Sequence, residues 1–136
     1  MARKILIVDD DPDARTFVAL ALRREGYEAV AATDAISALT VARRERPDVI
    51  VLDLRLPAGD GFLVIDLLRK LPELAGTPVI LRTGYAEFGT RQRARAFGVA
   101  ACLQKPVRLT TLFEAIERVL PPIPDAPEPV LAAASF

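Results

Sequence analysis

Val49-Ile50-Val51-Leu52-Asp53 is the stretch that decides the fold. Four β-branched or aliphatic residues in succession read as a strand buried on both faces, the pattern of a parallel sheet. The loop that follows, Leu54-Arg55-Leu56-Pro57-Ala58-Gly59-Asp60-Gly61, is punctuated by proline and glycine. A carboxylate is thereby delivered to the C-terminal tip of a central strand, the edge where open α/β sheets bind ligands. A second apolar run, Ile5-Leu6-Ile7-Val8, also ends in acid, at Asp9-Asp10. With these strands side by side, Asp9, Asp10 and Asp53 share one small volume. A metal ion is the natural reason for such crowding.

Outward from these two runs, the chain alternates. Arg3 to Val8 is predicted as the first strand. Asp11 then caps a helix whose first position is Pro12, where the missing N–H costs nothing. Ala14, Phe17, Val18, Ala21 and Leu22 follow helical spacing, and Gly26 stops the helix. Tyr27 to Ala31 is a short strand. Thr33 or Asp34 caps a second helix with Ile36, Leu39 and Ala42 on its apolar stripe, ended by Pro47-Asp48. The third strand, Val49 to Leu52, leads through Asp53 and its loop to a third helix from Asp60-Gly61, with Phe62, Ile65, Leu68 and Leu71 inward. Pro72 to Pro78 connects to a fourth strand at Val79 to Leu81. Glu87 to Phe97 reads as a fourth helix, Ala100 to Leu103 as a fifth strand, and Leu109 to Leu120 as a fifth helix with Leu112 and Ile116 inward. Phe17, Phe62, Phe97 and Phe113 are expected as core anchors. Five such alternations imply an α/β fold, a doubly wound five-stranded parallel sheet with five helices.

From Pro121 the character changes, for five of the chain's eleven prolines fall between positions 121 and 129. Residues 1–120 are expected as one domain. Residues 121–136 are expected as a Pro/Ala-rich tail or linker, ending the protein or leading to a further domain.

Composition narrows the chemistry. Lys and Arg together number 18, equal to Asp and Glu, so no basic surplus argues for direct nucleic-acid binding or an anionic membrane. The single cysteine, Cys102, forbids an internal disulfide and reads as a small buried apolar residue. No apolar run is long enough to span a bilayer, and no signal peptide is visible, so a cytoplasmic location is expected. Histidine is absent, which removes imidazole catalysis and leaves only hard, oxygen-bound metals.

Asp9, Asp10, Asp53, Thr83 and Lys105 each follow a predicted strand and share one edge of the sheet. Two carboxylates about 4 Å apart repel by on the order of 4 kcal/mol at an effective dielectric near 20. Uncompensated, one would protonate or the strands would splay. Mg²⁺, which takes an octahedron of oxygens, resolves this, and Lys105 adds a point charge. A site with Mg²⁺ and an ammonium is built to receive phosphoryl oxygens. Thr83 adds a hydroxyl and Gly84 an approachable N–H. Asp53 is then the candidate nucleophile, since a carboxylate can attack phosphorus to give an acyl phosphate.

Taken in this order and spacing, Ile7-Val8-Asp9-Asp10, Asp53 with Pro57 and Gly61, Thr83-Gly84 and Lys105-Pro106 resemble a bacterial two-component response-regulator receiver domain over roughly residues 3 to 120. The resemblance implies a flavodoxin-like receiver fold and a phosphorylation-dependent switch, not a turnover enzyme. It implies Asp53 as phosphoacceptor and direct Mg²⁺ ligation by Asp10, Asp53 and the Arg55 carbonyl, with Asp9 acting through water. It also implies phosphoryl contacts from Thr83 and Lys105, and a cis bond before Pro106. The donor it implies is a phosphohistidine on a sensor histidine kinase or a histidine phosphotransfer protein. Output would pass to another protein, or through a dimer formed on phosphorylation.

The chain departs from the family at position 102, where receivers usually carry Tyr or Phe and this one carries Cys102. Tyr85, two residues past Thr83, is a candidate substitute aromatic. Arg55 and Tyr85 occupy positions that tune phosphoryl lifetime in the family. Arg82 in an apolar strand has no explanation at this level. Arg91, Arg93 and Arg95 read first as a solvated face and second as a partner surface. Two other functions compete. One is a phosphorylation-independent receiver-like binding module. The other is a haloacid-dehalogenase-type phosphatase using Asp9 as nucleophile and Asp11 as acid.

Overall fold

A computed structural model describes residues 2–56, 59–84 and 89–120. The expected tail at 121–136 lies outside the described residues. Five strands form one parallel sheet: β1 (Lys4–Val8), β2 (Glu28–Ala32), β3 (Val49–Asp53), β4 (Val79–Thr83) and β5 (Ala101–Gln104). Their order is β2-β1-β3-β4-β5. The chain leaves β1 toward one edge and returns to place β3 on the other side. The C-terminal ends of β1 and β3 therefore flank a topological switch point, the crevice where such sheets take ligands.

Five helices cover the sheet: α1 (Pro12–Arg24), α2 (Ala35–Glu45), α3 (Gly61–Arg69), α4 (Thr90–Ala96) and α5 (Leu109–Val119). Because alternate strand residues face opposite ways, each strand feeds two cores. Ile5, Ile7, Val49, Val51 and Ile80 pack with Val18, Leu22, Leu112 and Ile116 of α1 and α5. Leu6, Val8, Ile50, Leu52, Val79 and Leu81 pack with α2, α3 and Ala94 of α4. β3 is buried at every position, as its unbroken apolar run requires.

The helix starts follow the expected capping chemistry. Asp11 caps α1, its Oδ1 accepting from the N–H groups of Asp13 and Ala14 at 3.0 and 3.4 Å. Of the two candidates for α2, Asp34 is the cap, in a reciprocal box with Ser37. Ser37's bonds hold the Asp34 carboxyl below the usual carboxylate range. Arg69 closes the connector after α3 by donating to the carbonyls of Ala75, Thr77 and Gly98, and burial lowers its pKa from the ordinary guanidinium value.

Several expectations need correction. Phe17 is 61% exposed and so is no core anchor, and Ile36 is 77% exposed and so lies off the inward stripe of its helix. α1 turns Val18, Ala19 and Leu22 inward, which leaves Phe17 on the shoulder facing α5. α2 lies close to the sheet through Ala35, Ala38 and Ala42, and Ile36 falls on its outer side. Phe62 is buried, while Phe97 and Phe113 are only partly so. α3 ends at Arg69, before Leu71, and β5 runs one residue later than predicted. The loop after Asp53 contains a short antiparallel ribbon, Arg55–Leu56 with Gly59–Asp60. Arg93 stacks over Phe62 at 4.1 Å, so one of the three arginines of α4 has an intramolecular partner.

Candidate functional site

The register of the central strands builds the site. Val8 lies beside Leu52, Leu52 beside Leu81, and Asp53 beside Arg82. One rung further, Asp9, Asp53 and Arg82 come into line on the α1/α5 side. The strands keep bonding as far as this rung, through Asp9 N–H to the Ala32 carbonyl and Leu54 N–H to the Arg82 carbonyl. Asp10 follows on the loop into α1 and is exposed.

Asp9 and Asp53 are buried, at 2% and 4% exposure. Buried carboxylates require partners. Asp53 Oδ1 accepts from the Arg55 N–H at 3.1 Å, and its Oδ2 accepts from Lys105 Nζ at 2.6 Å. Asp9 Oδ1 accepts from the Asp11 N–H at 3.0 Å, and its Oδ2 pairs with Arg82 Nη1 at 3.3 Å. Arg15 binds the Asp9 carbonyl. Carboxylate oxygens of Asp9, Asp10 and Asp53 lie within 4.8 Å of one another. Around them opens a cleft of about 640 Å³, walled in part by these acids, Arg55, Arg82 and Lys105.

Lys105 reaches Asp53 from the far strand. Its N–H donates to the Thr83 carbonyl at 2.7 Å, extending the β4–β5 ladder to the site, and the Lys105–Pro106 bond is cis. Thr83 is buried at the end of β4, and Gly84 follows it, exposed. Cys102 pairs with Leu81 and packs against the α2/α3/α4 core, where burial pushes its thiol pKa up. Tyr85 and Pro57 lie outside the described residues.

The loop carrying Asp53 is held from below by Gly61. Its N–H donates to the Leu54 carbonyl at 2.7 Å. A Cβ at Gly61 would stand 3.0 Å from both the Asp53 carbonyl oxygen and Leu54 Cα. Both are backbone atoms, so the loop itself must move. Gly61→Ala is expected to cost about 1–3 kcal/mol through this overpacking, measured by urea denaturation. An unchanged midpoint would show that the loop yields freely.

Arg82 is the site residue that sequence reasoning did not place. Its signal was visible, a charge in an apolar strand, but its partner was not. Asp9 and Arg82 are 73 positions apart, and only the strand order brings them together.

The sequence matches the response regulator receiver domain family over residues 5–117. The chain belongs to that family. As a receiver domain it is 31% identical over 121 residues to the sporulation initiation phosphotransferase F of Bacillus subtilis, covering 89% of this chain and 96% of the relative. It is similar in structure to the chemotaxis response regulator CheY4 of Vibrio cholerae, with TM-score 0.82, 32% identity, and coverage of 88% of this chain and 100% of the other. It is also similar to the receiver domain of a sensor histidine kinase from Pseudomonas aeruginosa, described with a magnesium ion coordinated in the active-site cleft. There the TM-score is 0.79 and the identity 31%, with coverage of 87% and 97%. Receiver domains are signalling switches of two-component systems, and the acid cluster of this one stands where the sheet's crevice opens.

Proposed function

We propose that this receiver domain is a switch that takes a phosphoryl group onto Asp53 from a phosphohistidine of a sensor histidine kinase or a histidine phosphotransfer protein. The observation that carries this reading is the 2.6 Å contact of Lys105 Nζ with Asp53 Oδ2, made inside a cluster of three carboxylates. An ammonium at that distance is placed to accompany oxygens added to Asp53. The relative's name, a phosphotransferase, agrees with such a role.

The donors present suit a hard divalent cation. They are oxygens, mutually within reach, with one acid exposed for entry and no histidine in the chain. The structural neighbour with magnesium in its cleft supports the same choice. Asp10, Asp53 and the Arg55 carbonyl would hold Mg²⁺, with Asp9 acting through water. When bound, the ion supplies neutralisation of charge on the transferring phosphoryl group. The remaining work falls to the chain. An Asp53 carboxylate oxygen attacks phosphorus, the P–N bond breaks, and its electron pair leaves with the imidazole. Lys105 pairs with a phosphoryl oxygen, and the Thr83 hydroxyl and Gly84 N–H donate to others. The added charge then biases the packing of α4 and its flanking loops.

The haloacid-dehalogenase reading loses support, because the Asp11 carboxylate is engaged in capping α1. The phosphorylation-independent module keeps one observation in its favour. Cys102 stands where an aromatic usually reads the switch, and Tyr85 is the aromatic that would have to serve instead.

Intact-mass analysis after incubation with acetyl phosphate and Mg²⁺ tests the proposal. A single phosphoryl adduct is expected, absent in Asp53→Ala and absent when the divalent cation is chelated. No adduct on the folded wild-type chain, or an adduct that survives Asp53→Ala, would refute it. Partner binding indifferent to Asp53→Ala would favour the module instead.

A further inference from the structure

Arg82 brings a further cation into the cleft beside Lys105 and Arg55, and the proposed phosphoryl contact of Lys105 leaves it without a task. Its side chain is only 12% exposed. Its Nη1 reaches Asp9 Oδ2 at 3.3 Å, and its buried Nε has no hydrogen-bond partner among the described residues. A single contact at that length is a loose hold for a desolvated guanidinium. Asp9 Oδ1 accepts from the Asp11 N–H, whereas the partner of Oδ2 is a side chain that can be exchanged for a cation or its water shell. That side chain is Arg82.

We propose that Arg82 is a built-in counter-ion of Asp9 that competes with the divalent cation for it. The inference rests on the magnesium site proposed above. A guanidinium beside three carboxylates relieves the same repulsion that the cation relieves, so the two compensate the cluster alternately. Binding of the ion must break the Arg82–Asp9 contact or work against the positive charge it leaves nearby. Either way, the guanidinium lowers the affinity that the three acids would have alone. Because Asp53 and Arg82 are register partners on adjacent strands, the Arg82 backbone remains beside the cleft when the contact breaks.

The test is calorimetric titration of the full chain with magnesium chloride, comparing wild type with Arg82→Met, which keeps much of the length and loses the charge. Removal of this one cation is expected to tighten magnesium binding about tenfold. Arg82→Lys, which retains the charge, is expected to stay within about threefold of wild type. In an Asp9→Asn background the gain from Arg82→Met should disappear. Equal or weaker binding by Arg82→Met overturns the inference while leaving the magnesium site standing. No binding by either protein overturns both. Should Arg82→Met fail to fold, the wild-type chain decides. Its Arg82 guanidinium NMR signals are expected to shift on magnesium saturation, and signals that stay fixed overturn the inference.

Discussion

Lys105→Ala is expected to slow phosphorylation by acetyl phosphate about 10²–10³-fold at saturating Mg²⁺, with the fold intact. The size of the effect comes from geometry. The 2.6 Å contact with Asp53 Oδ2 is a short charge-assisted bond, and the lysine backbone is fixed by its N–H to the Thr83 carbonyl. The ammonium therefore waits beside the acceptor, and no reorganisation is needed as oxygens and charge arrive. The stability cost should be about 1–3 kcal/mol in the absence of a divalent cation, because Asp53, at 5% side-chain exposure, loses a charged partner, and smaller at saturating Mg²⁺, which would compensate the carboxylate. Loss of metal is not a competing explanation. Removing a positive charge from the cleft favours a divalent cation, so the variant should bind magnesium at least as tightly. Lys105→Arg is expected to recover little, since a planar fork does not replace a compact ammonium. Rates followed by intact mass check this. A Lys105→Ala rate within about threefold of wild type would remove Lys105 from the chemistry.

What could be read in advance depended on the range of the interaction. Asp53, Asp9 and Asp10 were legible because each ends an apolar run, and a buried parallel strand delivers its last residue to one known edge. The cap at Asp11 was legible, and that at Asp34 as one of two candidates with Thr33, because their bonds span three residues or fewer. Lys105 was legible as a member of the constellation, though its contact with Asp53 crosses 52 positions and the intervening strand β4. Arg82 was noticed but not explained. Its meaning lies in the pairing of β3 with β4 and the extension of β1 by one rung, and no local pattern encodes which strands are neighbours. Phe17 and Ile36 failed for a related reason. Periodicity gives the direction of an apolar stripe but not its width, and α2 needs alanines rather than isoleucine to lie close to the sheet.

The other large effect is on stability, and it separates the scaffold from the chemistry it carries. Leu52 precedes Asp53 and is fully buried against the α2/α3/α4 core. Leu52→Ala should cost about 3 kcal/mol, the sum of lost apolar burial and an unfilled cavity in a layer that cannot collapse around it. Against a total of roughly 5–15 kcal/mol this is severe. A fall in Tm of about 10 °C is expected for a domain of this length. Urea denaturation should show a lower midpoint with an unchanged slope. The site should survive below the transition. Asp53 points to the opposite face from Leu52, and its strand remains bonded on both sides, to β1 and to β4. At low temperature the folded variant should still take one phosphoryl group per chain. The outcome that would contradict this account is a cost below about 1 kcal/mol, which would mean that the layer under Asp53 repacks easily. A strand so readily rearranged could not hold two buried carboxylates, an ammonium and a guanidinium in one register.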